Sequence, residues 1–225
     1  MTKNLRTVLL TGGSRGIGKA IKNKFLSENY IVEAPDRNDL DLSNLESVRK
    51  YCKSNKQRDF SVIINCAGIN KINLLETLTD SELLETIQVN LIAPVLLLKT
   101  FTTKMKQNNY GRVVNIGSIW GEVSKPGRGA YSATKHGLHG ITNTLALELA
   151  TYNVLVNTVC PGFTLTQLTR QNNSPEQLLQ ISESIPMKRL AEPEEIAESV
   201  FFLASEKNTY ITGQKIIIDG GYTIQ

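Results

Sequence analysis

Short apolar runs alternate along this chain with longer helical patterns, and that alternation limits the folds open to it. "TVLLT" (7–11) is rich in residues that suit a buried strand, and a helical stretch follows from about Gly16 to Glu28, with Ile17, Ala20, Ile21 and Phe25 on one face. "YIVEA" (30–34), "DFSVIINCAG" (59–68), "GRVVNIGS" (111–118), "VLVNTVCPG" (154–162) and "QKIIIDGG" (214–221) are further strand candidates. Helical patterns fill the gaps at roughly 43–56, 80–106, 130–150 and 193–205. Runs that are apolar throughout, spaced by helices, predict a parallel sheet covered on both faces. The expected fold is α/β, a single Rossmann-type domain (1–225) with a doubly wound parallel sheet. One departure is visible. Between the strand ending near Arg37 and the helical pattern starting near Ser43 stands only "NDLD" with its flanks. A third strand there must be very short, and the helix that usually precedes it does not fit.

With 40% hydrophobic and 20% charged residues the chain can pack a core, and disorder is excluded. The net charge of +4 is mild, and its basic residues are scattered without interleaved aromatics, so no nucleic-acid role is expected. Cys52, Cys66 and Cys160 have neither disulfide-framework nor metal spacing, which predicts no metal site and a reducing compartment. The opening "MTKNLRTVLLTGG" lacks the basic-plus-apolar pattern of a secretion signal. No apolar run approaches the ~20 residues needed to span a bilayer. A cytoplasmic protein without a membrane partner is expected. The segment 163–192 is polar and irregular, and suits a substrate lid.

The glycine-rich stretch "LLTGGSRGIGKAI" brings the first chemistry. Gly12, Gly16 and Gly18 fall after an apolar strand and at the start of a helix. In such a loop one glycine makes the turn, one lets backbone approach a pyrophosphate, and one allows close helix–strand packing. Ser14, Arg15 and Ile17 share the loop. At the end of the second strand, where ribose recognition is expected, stands "PDRND". Asp36 suits an adenosine ribose and NAD. Arg37, with Arg15, suits a 2′-phosphate and NADP. Two arginines against one aspartate favour NADP, with NAD as the alternative.

"AYSATKHG" (130–137) places Tyr131 and Lys135 four residues apart, on one face of a helix. Alone the pair reads equally as a surface contact or as a phenol whose proton is managed by an ammonium. A free phenol has a pKa of ~10, so it gives up a proton readily only where its anion is stabilised.

These pieces together resemble the short-chain dehydrogenase/reductase family over nearly the whole length. The matching pieces are "TGGSRGIG" (11–18), "NCAG" (65–68), Asn90 in "QVNLIAP", Ser118 in "NIGS", "YSATK" (131–135), "CPGFTLT" (160–166) and "ITGQKIIIDGG" (211–221). The stretch "IPMKRLAEPEEIAESVFFLAS" (185–205) is similar to the 3-oxoacyl-acyl-carrier-protein reductase branch. The resemblance implies a catalytic set of Asn90, Ser118, Tyr131 and Lys135, moving a hydride between NAD(P) and a carbonyl or secondary alcohol. Ser118 would hold the substrate oxygen, Tyr131 would act as general acid/base, and Lys135 would hold both the phenol and the nicotinamide ribose. Asn90 would hold a water joining Lys135 to solvent.

The resemblance also implies that Asn65, Ala67 and Gly68 line the cofactor, with Cys66 where the family commonly has a second asparagine. Asp41 and Leu42 would flank adenine. Pro161 and Gly162 would shape the turn under the nicotinamide, Thr164 would contact its carboxamide through backbone, and Thr166 would reach a phosphate. The implied substrate is a small carbonyl or alcohol, a sugar or nucleotide-sugar, or an acyl group on a carrier protein. An acidic carrier calls for a basic patch, for which Lys99, Lys104 and Lys106 are candidates. A non-catalytic cofactor-binding sensor is the alternative to an enzyme. The family is usually dimeric or tetrameric, so a homotetramer or homodimer is expected.

Overall fold

The computed structural model describes residues 5–171 and 173–225. Its sheet has six strands: β1 (Thr7–Thr11), β2 (Ile31–Glu33), β3 (Val62–Asn65), β4 (Gly111–Ile116), β5 (Val154–Pro161) and β6 (Lys215–Ile218). They run in the order β2-β1-β3-β4-β5-β6, and every neighbouring pair is parallel. Helices α1 (Gly16–Ser27), α2 (Leu45–Asn55), α3 (Asp80–Ile87), α4 (Ala93–Gln107), α5 (Gly129–Leu149), α6 (Gln167–Gln171), α7 (Pro175–Ser184) and α8 (Pro193–Ala204) complete the described fold. The chain starts at β1, winds outward to β2, then crosses back to β3 on the other side. That reversal opens a crevice beyond the carboxyl ends of β1 and β3, where such sheets bind ligands.

Alternation along the strands divides the core into two layers. Leu9, Ile63, Val113 and Val156 pack with α2, α4 and α5. Val8, Leu10, Val62, Ile64, Val114 and Val159 pack with α1 and α8. Successive side chains of a strand point to opposite faces, so a strand buried on both faces must be apolar throughout. Local signals set the helix starts. Asn44 accepts from the backbone N–H groups of Glu46 and Ser47 to begin α2, and Thr79 forms a reciprocal capping box with Glu82 to begin α3.

The expected very short third strand is absent. The helix that did not fit is absent too, and β2 runs by an irregular segment directly into α2. The segment spends its polar groups on itself. Asp36 Oδ1 accepts from the N–H groups of Asn38 and Asp39, and Asp41 Oδ1 accepts from the N–H and hydroxyl of Ser43. Leu40, 5% exposed, and Leu42 anchor it to the core. The backbone closes turns instead of offering a free ladder edge, so β2 remains the sheet edge. Beside that edge lies a cavity of 730 Å³, lined among others by Glu33, Asp39, Glu46 and Lys50. Glu33 is ion-paired with Arg58, so Asp39 and Glu46 face Lys50 there.

Asp80–Gln107 runs as one helical rod, and by length and composition it could cross a membrane, with a window of mean hydropathy 1.4. The rod's apolarity has a use within the fold. Ala93, Leu97, Leu98, Phe101 and Met105 are buried in the core layer that also holds α2 and α5.

Candidate active site

The glycine loop folds back on β3. Gly12, at φ +74°, would place a Cβ 2.8 Å from the Ala67 backbone, and a Cβ on Gly18 would sit 2.0 Å from the Gly12 carbonyl oxygen. Only glycine fits either position. Gly16, at φ +53°, faces Thr166, whose Cγ2 would lie 3.3 Å from an added Cβ. Thr11 Oγ1 accepts from the N–H groups of Cys66 and Ala67, tying the ends of β1 and β3 together. Arg15 is the N-cap of α1 but gives it no side-chain hydrogen bond, and no acidic residue stands in the first turn. The first N–H groups of α1 thus keep their affinity for a phosphate. This loop, closed by glycines and with an uncapped helix start, fits a dinucleotide.

The ribose end has a less simple geometry. The turn around Asp36 occupies its Oδ1, while Arg37 lies 3.3 Å from Asp41 Oδ2 and donates to Ser43 Oγ. Hydrogen bonds from Ser43, helped by Arg37, hold the Asp41 carboxyl below the usual carboxylate range. Arg15 is exposed and forms no ion pair among the described residues.

At the carboxyl ends of β3 and β4 the polar side chains form a buried chain. Asn65 Nδ2 donates to Asn115 Oδ1 at 2.8 Å, and Asn115 Nδ2 donates to Thr142 at 2.9 Å. The Thr142 hydroxyl in turn lies 2.8 Å from that of Thr158. Asn65 stands where the sequence places it, but its side chain points into the sheet and leaves the backbone to face a cofactor. Asn115 was missed, although an asparagine inside the apolar run "RVVNIG" was a signal for a buried amide. Loss of solvation pushes the neighbouring Cys66 thiol up to about 12, so it is a neutral packing group.

The four catalytic candidates come together at the same end of the sheet. Ser118 follows β4, is 7% exposed, and accepts from the N–H of Trp120 while keeping its own proton to donate. Tyr131 and Lys135 lie on α5. Lys135 is 5% exposed, its Nζ donates to the Ile116 carbonyl at 2.7 Å, and that nitrogen lies 5.4 Å from the centre of the Tyr131 ring. No carboxylate pairs with Lys135 among the described residues. Its charge is left for the phenol and for a ligand. Asn90 sits in a π-helical turn, Gln88–Ile92, between α3 and α4. Such turns interrupt a regular helix at a functional position more often than chance would place them. The Asn90 amide brackets Ile69, accepting from its N–H at 2.9 Å and donating to its carbonyl at 2.8 Å, and also approaches Thr134. A Cβ on Gly68 would come 3.3 Å from Asn90 Oδ1 and 3.7 Å from Lys135 Nζ, so that glycine keeps the space between them open.

Pro161 ends β5. Gly162 is pressed against Asp219, which an added Cβ would meet at 2.7 Å. Thr164 is buried, its hydroxyl donates to the Gly162 carbonyl, and its own carbonyl accepts from Thr169. Thr166 Oγ1 lies 3.0 Å from the Thr169 hydroxyl. Trp120, Phe163 and Tyr222 stack edge-to-face, with centroids 5.2 to 6.4 Å apart, in a wall that sequence reading did not find. Its members are distant in sequence, so no local pattern marks them.

Residues 22–223 match the family described as Enoyl-(Acyl carrier protein) reductase. The 3-oxoacyl-acyl-carrier-protein reductase of Buchnera aphidicola from Schizaphis graminum is 38% identical, with 96% of each chain covered. That of Haemophilus influenzae is 33% identical, over 96% of this chain and 97% of the relative. The chain belongs to the short-chain dehydrogenase/reductase family. Among solved structures, 4-hydroxyisoleucine dehydrogenase complexed with NADH is 29% identical with a TM-score of 0.91, covering 98% of this chain and 99% of that one. YwfH, an NADPH-dependent reductase involved in bacilysin biosynthesis, is 26% identical with a TM-score of 0.89, covering 99% and 100%. As a short-chain dehydrogenase/reductase the protein is an oxidoreductase that uses NAD(P). Its fold is the parallel Rossmann type of that family, here with six strands and β2 at one edge.

Proposed function

We propose that this short-chain dehydrogenase/reductase reduces the ketone of a 3-oxoacyl compound, with NADPH preferred over NADH. The observation that carries the reading is the convergence of Ser118, Tyr131 and Lys135 beyond β4, beside a glycine loop whose helix start is uncapped. Bound nicotinamide supplies the hydride. The Ser118 hydroxyl donates a hydrogen bond to the ketone oxygen and orients it. Tyr131 gives its phenolic proton to that oxygen as negative charge develops there. Lys135, fixed on the Ile116 carbonyl, stabilises the phenolate left behind and offers its remaining N–H groups to the ribose. The phenol regains its proton along the space that Gly68 keeps open beside Asn90. The Asn90 side chain is largely spent on Ile69, so a relay water would use the second lone pair of Oδ1.

Gly12, Ser14, Arg15, Gly16, Ile17 and Gly18 would hold the pyrophosphate. Asp41 and Leu42 would border adenine. The Asn65 backbone, Ala67 and Gly68 would line the ribose side, and Pro161, Gly162, Thr164 and Thr166 the nicotinamide side. The segment 163–192, with α6 and α7, would cover the substrate. NADP is favoured because Asp36 is engaged in its own turn while Arg15 is unpaired and Arg37 sits at the same loop. Titration should show NADPH binding about tenfold or more tightly than NADH, in line with the worth of hydrogen bonds between charged groups. Arg15→Ala with Arg37→Ala should remove that preference. A double variant that keeps it would place the 2′-phosphate elsewhere.

A steady-state assay with a 3-oxobutanoyl thioester tests the reaction. NADPH oxidation that yields the 3-hydroxy product is expected. Turnover of a 2-enoyl thioester but not of the ketone would reject the reading in favour of the activity in the matched family's description.

The carrier-protein reading loses its basic patch. Strands run toward the site and α4 returns from it, so Lys104 and Lys106 lie at the far end of the sheet, where Lys106 stacks on Tyr152 just before β5. A homo-oligomer is supported by apolar side chains left in the open, Leu84 at 64% exposure and Leu147 at 83%. Light scattering at micromolar concentration should give a dimer or tetramer, and a monomer would reject that assembly. A cytoplasmic location is consistent with three free thiols.

A further inference from the structure

Arg128 has no part in the mechanism above, yet it stands one helical turn before Tyr131. It occupies the N-cap of α5 and gives that helix no side-chain hydrogen bond. Its guanidinium lies 5.7 Å from the centre of the Trp120 ring, within cation–π range. Trp120 follows Ser118 by two residues, and the guanidinium is near enough to Tyr131 for the two groups to interact electrostatically. Nε and Nη1 are closed to solvent and neither has a hydrogen-bond partner. No carboxylate forms an ion pair with Arg128 among the described residues. Burial lowers its affinity for a proton, but a guanidinium keeps its charge in proteins.

The surroundings sharpen the imbalance. Ile72 lies against Gly127 and Leu75 against Gly129, 3.2 and 3.8 Å from the Cβ positions of those glycines. Both neighbours of Arg128 thus touch apolar side chains, while Nε and Nη1 themselves are closed to water, where charge interactions strengthen. A cation with unspent donors in such a place is costly unless an anion meets it. A carboxylate is the natural complement, because its two oxygens match the planar fork of a guanidinium. The exposed side chains of Ile72 and Leu75 suit a short alkyl chain beside it.

We propose that Arg128 binds the carboxylate of a free 3-oxo acid, so that the acid rather than its thioester is the preferred substrate. This rests on the ketone-reductase reading and adds the group that the substrate carries next to its ketone. It also accords with the location of Lys104 and Lys106, away from the site.

The test compares kcat/KM with NADPH for 3-oxobutanoate, its N-acetylcysteamine thioester and 2-pentanone, in the wild type, Arg128→Met and Arg128→Lys. The wild type should prefer the acid to the thioester by about tenfold or more. R128M should lose roughly 30-fold on the acid, mainly through KM, the loss expected for a hydrogen bond between charged groups. Its losses on the thioester and on 2-pentanone should be far smaller, and R128K should recover part of the acid activity. NADPH affinity and Tm, measured alongside, check that the variants fold. If R128M does not fold, the R128K series and the acid-to-thioester ratio of the wild type decide. A wild type that prefers the thioester overturns the proposal and leaves the ketone reading standing. So does an equal fall on all three substrates in R128M, which would make Arg128 a structural residue. If the wild type reduces none of the three, the ketone reading fails and the proposal fails with it.

Discussion

Tyr131→Phe should abolish most turnover while leaving the cofactor bound. The substitution removes one oxygen from a half-buried ring on α5 and disturbs little else, since the phenol oxygen has no hydrogen bond to lose among the described residues. What it removes is the proton that the developing alkoxide needs. A positioned general acid is worth about 10²- to 10⁴-fold in rate, so kcat should fall by roughly 10³-fold. The NADPH dissociation constant should stay within about twofold, because the glycine loop and Lys135 are untouched; a bound cofactor with lost turnover is the signature of a group used in the transition state. Near-normal turnover in the variant would remove Tyr131 from the chemistry. A wild type that binds NADPH yet turns over no carbonyl or alcohol would favour the sensor alternative.

Gly18→Ala should damage cofactor binding and stability together. The new methyl would lie 2.0 Å from the Gly12 carbonyl oxygen and 2.8 Å from the Gly12 carbonyl carbon. Both are backbone atoms, so no side chain can swing aside. Gly12 in turn is packed on Ala67 at the end of β3. Relief must come from moving α1 away from β1 or from deforming the loop. Overpacking of this kind costs about 1–3 kcal/mol of stability, which in a domain of this size lowers Tm by several degrees. A deformed loop also turns its N–H groups away from the pyrophosphate. NADPH affinity should drop by about 100-fold, read by fluorescence titration, as expected when several hydrogen bonds to a charged group are misaligned. A variant with wild-type affinity and Tm would mean that the loop is far softer than its packing indicates.

Much of the site was legible before any coordinates, and for local reasons. Gly12, Gly16 and Gly18 announce themselves because a tight turn beside a strand tolerates no side chain. Tyr131 and Lys135 announce themselves because helical spacing alone puts them on one face. Ser118 was legible as a polar residue where an apolar strand ends. Asn90 was legible only through the family pattern, since nothing local says that a π turn aims its amide at Ile69. Asn115, Trp120 and Arg128 were passed over. Each matters through partners far away in sequence: Asn65 and Thr142 for the first, Phe163 and Tyr222 for the second, and for the third Trp120 with Ile72 and Leu75 beside its flanking glycines.

The segment between β2 and α2 draws the same line from the other side. Its length was enough to exclude a helix, because a helix needs residues that are not there. Length did not decide whether three or four residues would add a strand. A strand requires a neighbour's free edge, whereas Asp36 and Asp41 could close turns on their own backbone at once. The amino-acid order by itself determined what depends on near neighbours: the period of burial, the glycine loop, the helix caps and the Tyr–Lys spacing. Only the tertiary structure decided which distant groups meet. It brought a guanidinium without an ion-pair partner among the described residues close to Tyr131, and left two lysines at the far end of the sheet, because solvation and partnering are settled only when the whole chain has packed.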